Sequence, residues 1–326
     1  MTASTVSRPS TSRTAAATVF ALFAFAGNSL LCRLALRDAA MDPVAFTSIR
    51  ILAGALALAP LLPALWLKRG AGSAPDWASK TAAVARGPMA WLRPSVWLGP
   101  VTLFVYALGF SLAYVSLDAG TGALLLFGSV QLTMLLVGWL GGDRPTPRGL
   151  AGILLALSGV VWLVLPGVSA PPPRAAFLML LAGLAWGGYS LVGKAFAGRD
   201  GGVRPSVATA RNFALAAPLA LLAALLAVPA GQIECLPLNG TLLAVAAGAL
   251  TSGLGYVVWY AALTGLSAST AAVVQLTVPV LAALAGVVLL DEPFSMRLVG
   301  AGTMTLGGVA VAIAAAAAAS RPQRES

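Results

Sequence analysis

The heptapeptide GNSLLCR (27–33) lies inside a long apolar segment and returns in similar form as GYSLVGK (188–194). Each copy places polar side chains, followed by a basic one, in a run that otherwise has the composition of a membrane span: Asn28, Ser29 and Arg33, then Tyr189, Ser190 and Lys194. Two related copies of an unusual span indicate that the chain arose by duplication of a membrane-embedded unit.

The composition is that of a helical membrane protein. Hydrophobic residues make up 59% of the 326 residues, charged residues only 9%, and the mean hydropathy is +0.90. A helix needs about 20 apolar residues to cross a bilayer. Membrane strands would alternate apolar and polar residues, and these segments do not. The sequence therefore predicts an all-α integral membrane protein with ten transmembrane helices, at about 15–35, 44–66, 95–116, 120–140, 148–167, 175–196, 206–228, 241–264, 268–290 and 297–318.

Further matches between the two halves follow in the same order. GFSLAYVSL (109–117) corresponds to GYVVWYAAL (255–263), and VQLT recurs at 130–133 and 274–277. We predict two five-helix repeats, 15–167 and 168–318, with cytoplasmic tails at 1–14 and 319–326. Because five is odd, the second repeat enters the membrane with the opposite orientation. Transporters use inverted repeats of this kind for alternating access.

The net charge of +10 follows the membrane topology. With the N-terminus inside, most loop lysines and arginines fall on the cytoplasmic side, and only Arg37, Arg174 and Arg297 fall outside. This asymmetry is the positive-inside rule, so the lipid bilayer is the expected partner and nucleic acid is not. The alanine-rich, short-looped chain favours a bacterial cytoplasmic (inner) membrane, with both termini cytoplasmic. We expect a small-molecule substrate, and a monomer is compatible with these features.

Residues for enzyme chemistry are scarce. The chain has no histidine, and its cysteines, Cys32 and Cys235, have no metal-ligand spacing. We therefore predict no metal, no cofactor and no catalytic residue. A membrane enzyme would have to use Ser190 and Lys194, and a channel with the same duplicated scaffold is the other alternative. The acidic residues lie in tails, loops or span ends, which favours facilitated diffusion or exchange over a proton relay.

The segments QLTVPVLAALAGVVLLDEPFS (275–295) and WGGYSLVGKAF (186–196) resemble the drug/metabolite transporter superfamily, specifically its ten-helix EamA-like branch. The first is similar to the ninth helix of that family with its acidic-Pro end. The second is similar to the sixth helix with its Trp-Gly start. The resemblance implies a carrier, commonly an exporter of amino acids or other small metabolites, with its site in a central cavity between the halves.

Polar side chains within membrane spans are costly unless they face protein or a wet cavity, so they are the candidates for the substrate site. Arg50 and Arg211 could bind a substrate anion, or their side chains could extend to the membrane surface. Gln131 and Gln275 could bind substrate or bridge helices. The predicted binding residues are Asn28, Ser29, Arg50, Tyr106, Tyr114, Gln131, Trp186, Tyr189, Arg211, Tyr256, Trp259, Tyr260 and Gln275.

The two basic residues of the opening motif have a different prediction. Helix 1 runs outward and helix 6 inward, so Arg33 and Lys194 lie near opposite membrane surfaces. We expect both to anchor their helices at the interface and not to be buried charges.

Overall fold

Ten helices long and apolar enough to cross a bilayer are present in a computed structural model of the protein. The structure describes residues 11–62, 94–141, 145–167, 170–197, 205–229, 233, 236–263, 265–266, 268–293 and 295–319. The helices are α1 (Thr11–Arg33), α2 (Pro43–Leu58), α3 (Pro94–Tyr114), α4 (Ala119–Leu140), α5 (Pro147–Val164), α6 (Pro173–Ala197), α7 (Pro205–Ala227), α8 (Leu238–Leu263), α9 (Ala268–Gln275, continued by Thr277–Leu290) and α10 (Met296–Ala319).

The prediction of ten helical spans is confirmed, with differences at the ends of segments. The first helix begins at Thr11, inside the segment predicted as a tail, where three consecutive alanines favour helix. Apart from 11–14 and Ala319, the two predicted tails lie outside the described residues, as does the basic segment 63–93.

Two helices of the first half begin at a capping side chain followed by proline. The Asp42 carboxylate accepts hydrogen bonds from the backbone N–H groups of Val44 and Ala45, and Pro43 is the first residue of α2. Thr146 caps α5 in the same way, with Pro147 as its first residue. These caps satisfy N–H groups that have no partner within the helix, and proline in the first turn sacrifices no helical bond.

The packing of the helices repeats when the two halves are exchanged. Helix α3 packs on α6, and α8 packs on α1. Likewise α4 packs on α6, and α9 on α1, while α2 packs on α7 and α5 on α10. This is the arrangement expected of a duplicated five-helix unit. The inversion of one half stays a prediction from the odd number of helices.

Small residues allow close approach where the halves meet. A Cβ atom at Gly248 on α8 would lie 2.2 Å from the backbone oxygen of Arg50 on α2. A Cβ atom at Gly152 on α5 would lie 2.6 Å from the backbone oxygen of Gly308 on α10. Any larger residue at either glycine would force the two helices apart.

Two helices depart from regular α-geometry near the centre of the bundle. Residues Ala247–Leu254 of α8 form a π-helical segment, which is frequent at functional sites. Helix α9 is interrupted at Leu276 because Pro279 has no N–H to donate to the carbonyl of Gln275 and its ring crowds that carbonyl. Both irregularities lie within membrane spans, where protein neighbours must satisfy the freed backbone groups.

The outer surface of the bundle is apolar. Exposed side chains include Phe23, Leu154, Leu226, Val288 and Leu289. The buried set, by contrast, contains many polar groups from α1, α2, α3 and α8. Apolar residues outside and polar residues inside are what a multi-pass membrane protein requires.

Candidate functional site

Arg50 is a buried arginine at the centre of the bundle. It lies about 10 Å along α2 from its first residue, at about 1.5 Å per residue, and is 2% exposed. Its Nε donates to Ser252 Oγ at 3.0 Å and its Nη2 to the Tyr106 hydroxyl at 3.0 Å. The guanidinium carbon lies 5.3 Å from the ring centre of Tyr106 and 5.0 Å from that of Phe110. The third nitrogen, Nη1, has no hydrogen-bond partner among the described residues.

The charge of Arg50 has no counter-ion in the described part of the chain. The ion pairs found there join Arg33 and Arg37 to carboxylates, and none includes Arg50. Hydroxyls and ring faces only partly replace the hydration of a guanidinium. The sequence left open whether Arg50 could bind a substrate anion or could extend to the membrane surface. In the structure its side chain does not extend to the membrane surface. A permanently charged group with a free donor remains inside the bundle.

Asn28 on α1 extends the polar cluster toward α8. Its Nδ2 donates to the Tyr106 hydroxyl at 3.4 Å, and its Oδ1 accepts from Thr251 Oγ1 at 3.2 Å. Ser252 Oγ lies 3.5 Å from the same oxygen. Thr251 and Ser252 are consecutive, and both reach Asn28 because they lie in the wide π-helical segment of α8. One amide therefore joins α1, α3 and α8 around Arg50.

Aromatic rings enclose this cluster on the other side. The ring of Trp186 on α6 lies 4.7 Å from that of Tyr106 and 4.8 Å from that of Tyr256, both tilted. It also stacks on Tyr189 at 5.2 Å. Phe25 on α1 makes edge contacts with Tyr256 at 5.9 Å and with Trp259 at 5.7 Å. Ring faces attract cations and apolar groups, so the wall suits a substrate with either feature.

A small cavity lies between the polar cluster and the aromatic wall. About 20 Å³ of it is open to the centre of a water molecule, which is room for about one water. Its lining residues come from α1, α3, α4, α6 and α8, and thus from both halves: Phe25, Asn28, Ser29, Tyr106, Phe110, Leu126, Phe127, Trp186 and Tyr256. The cavity is therefore contracted in this structure and too small to hold a metabolite.

Most of the residues predicted from the sequence come together here. Asn28, Ser29, Tyr106, Trp186 and Tyr256 line the cavity. Arg50, Tyr189 and Trp259 contact residues that line it.

The other predicted residues lie elsewhere. Tyr114 is fully buried and does not line the cavity itself, although its ring contacts Phe110, which does. Arg211 is half-buried on α7, beside Asn212, whose amide donates to the Tyr189 hydroxyl at 3.3 Å. Tyr260 packs against the core without lining the cavity.

The two glutamines meet each other and not the cavity. Gln131 Nε2 on α4 lies 3.5 Å from Gln275 Oε1 and 3.5 Å from the Ala272 carbonyl, both on α9. Of the two roles that the sequence left open for this pair, the structure places it in a bridge between α4 and α9.

The prediction that Arg33 is not a buried charge is wrong, while its place near a membrane surface stays a prediction. Arg33 is 8% exposed and pairs with Glu292 at 3.1 Å and Asp118 at 3.4 Å. The physical reason is that loops at this end of the bundle bring two carboxylates over the end of the helix. These carboxylates neutralise the guanidinium, so it needs no hydration by water. The side chain of Lys194 lies outside the described part of the chain.

Sequence reasoning missed the apolar part of the cavity. Phe25, Phe110, Leu126 and Phe127 line it, yet nothing distinguishes them from other apolar residues of a membrane span. Their position depends on which helix face meets the other half. A possible signal was the i, i+3 spacing of Phe25 and Asn28, which places an aromatic ring beside a costly polar group on one helix face.

Comparison with known proteins gives concordant matches. Residues 173–314 match the EamA-like transporter family. An uncharacterized protein of Pseudomonas aeruginosa is 52% identical over 304 residues, covering 93% of this chain and 95% of its own. A probable terminal-alkyne amino-acid exporter of Streptantibioticus cattleyicolor is 30% identical over 240 residues, covering 71% and 79%. An uncharacterized transporter of Archaeoglobus fulgidus is 31% identical over 226 residues, covering 67% and 75%.

One solved crystal structure has a similar fold. Its TM-score to this chain is 0.59 at 22% sequence identity, and the match covers 93% of this chain and 98% of that one. The two chains therefore share a fold over nearly the whole helical bundle. At this sequence identity the match supports a conclusion about the fold and about nothing further.

Proposed function

Because the chain belongs to the EamA-like transporter family and is a multi-pass membrane transporter, we propose that it exports small carboxylate-bearing metabolites, amino acids foremost, by alternating access. The observation that supports this proposal most is Arg50, a buried cation that has neither a counter-ion nor a partner for its Nη1 within the part of the chain that the structure describes.

A carboxylate is the anion that fits this position. The guanidinium has a planar fork of donors that matches a carboxylate, and Arg50 already spends Nε and Nη2 on neutral hydroxyls. A substrate carboxylate at Nη1 would neutralise the charge and use the remaining donor. The free energy lost by burying Arg50 in the empty carrier would be partly recovered on binding, which favours substrates with one negative group at this end.

The rest of the cavity suits the remainder of an amino acid. The Asn28 Oδ1 and Thr251 hydroxyl can accept hydrogen bonds from an ammonium group. The rings of Trp186 and Tyr256 can take the same cation or an apolar side chain. The relative from Streptantibioticus is named as an exporter of an amino acid with an apolar alkyne, which agrees with this division into a polar and an aromatic wall.

Alternating access explains why a cavity for one water can serve a larger substrate. Helices of both halves line it, and their packing repeats on exchange of the halves. Rocking one half against the other would open the cavity first to one end of the bundle and then to the other. We place the exit at the end that carries Arg33 and Glu292, since the loop charges predict that this end faces outward and that both termini are cytoplasmic.

Enzyme chemistry has less support than transport. The only serine and lysine pair suggested by the sequence lies on α6, and the Ser190 hydroxyl donates to the Trp186 carbonyl of its own helix at 2.9 Å. That bond is the usual state of a serine within a membrane helix. It leaves no sign of an activated nucleophile at Ser190.

The test is substrate release from proteoliposomes loaded with single amino acids, including a terminal-alkyne amino acid. Wild-type protein should release a subset saturably, and Arg50→Gln should lose that release while retaining its expression and size-exclusion profile. Arg297→Gln is the matched control, because Arg297 is half-buried at one end of the bundle and binds a backbone carbonyl there. Two results would reject the proposal. One is release from Arg50→Gln proteoliposomes at the wild-type rate, and the other is equal release from loaded liposomes that contain no protein.

A further inference from the structure

The buried Arg33 is held by acceptors from two other parts of the chain. Its Nε donates to Glu292 Oε1 at 3.1 Å and its Nη2 to Asp118 Oδ1 at 3.4 Å. Its Nη1 donates to the backbone oxygens of Tyr114 and Val115, at 3.0 and 3.1 Å. Each nitrogen of the guanidinium therefore has a partner. The cluster of Arg33, Asp118 and Glu292 joins α1 and the α3–α4 turn of one half to the segment after α9 of the other.

The chain is shaped to bring Glu292 to this position. Asp291 has a left-handed backbone, with φ of 51°, which reverses the chain after α9 and is tolerated by aspartate. The Glu292 side chain then returns over α9, where a Cβ at Gly286 would lie 2.4 Å from its Oε2. The same oxygen accepts the backbone N–H of Ala119 at 2.8 Å, at the start of α4. Glu292 thus closes the end of the bundle across both halves.

Tyr114 lies between this cluster and the central cavity. It is fully buried, its ring meets Phe110 edge-on at 4.6 Å, and its hydroxyl donates to the Ala119 carbonyl at 3.2 Å. Phe110, which Tyr114 contacts in this way, lines the central cavity. A continuous path of contacts therefore runs from Phe110 through Tyr114 and Ala119 to Glu292.

A second and larger cavity lies on the far side of the cluster. About 260 Å³ of it is open to the centre of a water molecule, and Asp118 and Glu292 are among its lining residues. Its other walls come from the α3–α4 turn, the α5–α6 connection and the start of α10, including Ser116, Pro172 and Ser295. We call this cavity the vestibule. It is separated from the central cavity by Tyr114 and the ion cluster.

We propose that Arg33, Asp118 and Glu292, backed by Tyr114, form the exit gate of the carrier. In the contracted state the gate is closed, and separating α1 from the segment after α9 would connect the central cavity to the vestibule. The inference rests on the alternating-access part of the proposed function, and it does not depend on which substrate is carried.

The charges around Glu292 determine how strongly the gate holds. Arg33 and Asp118 face it directly and Tyr114 lies beneath it. Arg37 and Asp38 lie in the π-helical segment Leu34–Asp38 that follows α1. Asp291, its neighbour in sequence, is exposed. Burial raises the pKa of the Glu292 carboxyl above its ordinary range and Asp118 adds to this, while the Ala119 N–H and Arg33 act in the opposite direction. An ion pair of this kind is stable only while both partners stay in place.

The experiment measures whether the cavity can be reached from outside, without any substrate. The reporter is Leu126→Cys, which lines the central cavity and takes no part in the gate, in a Cys32→Ser/Cys235→Ser background. A membrane-impermeant maleimide is added to right-side-out vesicles and, separately, to inside-out vesicles. The labelled fraction is followed over time by the shift in mass.

Opening the gate should increase labelling from the outside only. We expect Glu292→Gln and Arg33→Gln to be labelled at least about tenfold faster than the parent. Arg33→Gln leaves the buried Glu292 carboxylate without its cation, and Glu292→Gln removes the shorter of the two ion pairs of Arg33. Asp118→Asn should give a smaller increase of about two- to threefold, since that carboxylate is half-exposed and its removal carries little risk to folding. Arg297→Gln, an arginine at the same end outside the cluster, should match the parent.

Two outcomes would overturn the proposal. One is unchanged outside labelling in Glu292→Gln and Asp118→Asn, with both proteins running as a single species in size exclusion. The other is equal acceleration from both sides, which would indicate general loosening of the bundle. A carrier that fails the amino-acid release test but passes this one would keep the gate and lose the proposed substrate class.

Discussion

Two buried arginines within the first two spans have opposite surroundings. Arg33, at the end of α1, has two carboxylates and two backbone oxygens around its guanidinium. Arg50, midway along α2, has two hydroxyls, two ring faces and a nitrogen without a partner among the described residues. The first charge is neutralised within the fold and holds segments together. The second charge has no carboxylate partner among the described residues, and this is why we propose it as the site of a substrate anion.

The largest expected effect is on protein stability, where substitutions of the two arginines should give opposite results. Arg33→Leu leaves the Glu292 carboxylate buried without its cation, and should lower the free energy of unfolding by about 3–5 kcal/mol. Arg50→Leu removes a buried charge that has no counter-ion, so stability should be unchanged or higher. Thermal unfolding in detergent, followed by tryptophan fluorescence, measures both. If Arg50→Leu were the more destabilised variant, the contrast between the two sites would fail.

A smaller effect is expected when the partner of Arg50 is trimmed. Tyr106→Phe removes the oxygen that accepts from both Arg50 and Asn28 and leaves the ring in place. Transport should fall about tenfold, the usual value of one hydrogen bond to a charged group. Initial rates of counterflow measure this, with Tyr260→Phe as the matched control because Tyr260 does not line the cavity. Equal losses in the two variants would contradict the assignment of Tyr106.

The smallest effect is expected at the glutamine bridge. Gln131 and Gln275 meet at 3.5 Å, at the limit of hydrogen-bonding distance, and away from the cavity. Gln131→Leu should change transport by less than about twofold and stability by about 1 kcal/mol or less, the usual size of a weak neutral bond. A loss of transport comparable to that of Tyr106→Phe would return this pair to the substrate site.

The sequence predicted the helices better than the side-chain environments. Ten spans follow from apolar runs of sufficient length, and the duplication follows from repeated motifs such as GNSLLCR and GYSLVGK. Arg33 shows the limit. Its depth in the span could be counted, but its burial depends on Asp118 and Glu292, which are distant in sequence and arrive through turns. Nothing in local composition predicts that a left-handed Asp291 returns Glu292 over Gly286.

The site shows the same division between local and long-range information. Asn28 and Arg50 were predicted because polar groups within spans are costly wherever they lie. Tyr114 belongs to the same polar group by sequence but lies beyond Phe110 because of the direction in which its helix face points. Phe25 and Phe127 line the cavity, yet they cannot be told from lipid-facing residues without the packing of the two halves.

The most direct test of the central claim pairs a change in Arg50 with a change in the substrate. Counterflow is measured for a transported amino acid and for its amide, which keeps the ammonium and side chain but carries no carboxylate. Wild-type protein should transport the acid about 100-fold faster than the amide, which corresponds to about 2.7 kcal/mol for a charge-assisted pair. Arg50→Gln should transport the acid no faster than the amide. If Arg50→Gln kept the wild-type preference for the acid, Arg50 would not be the carboxylate site.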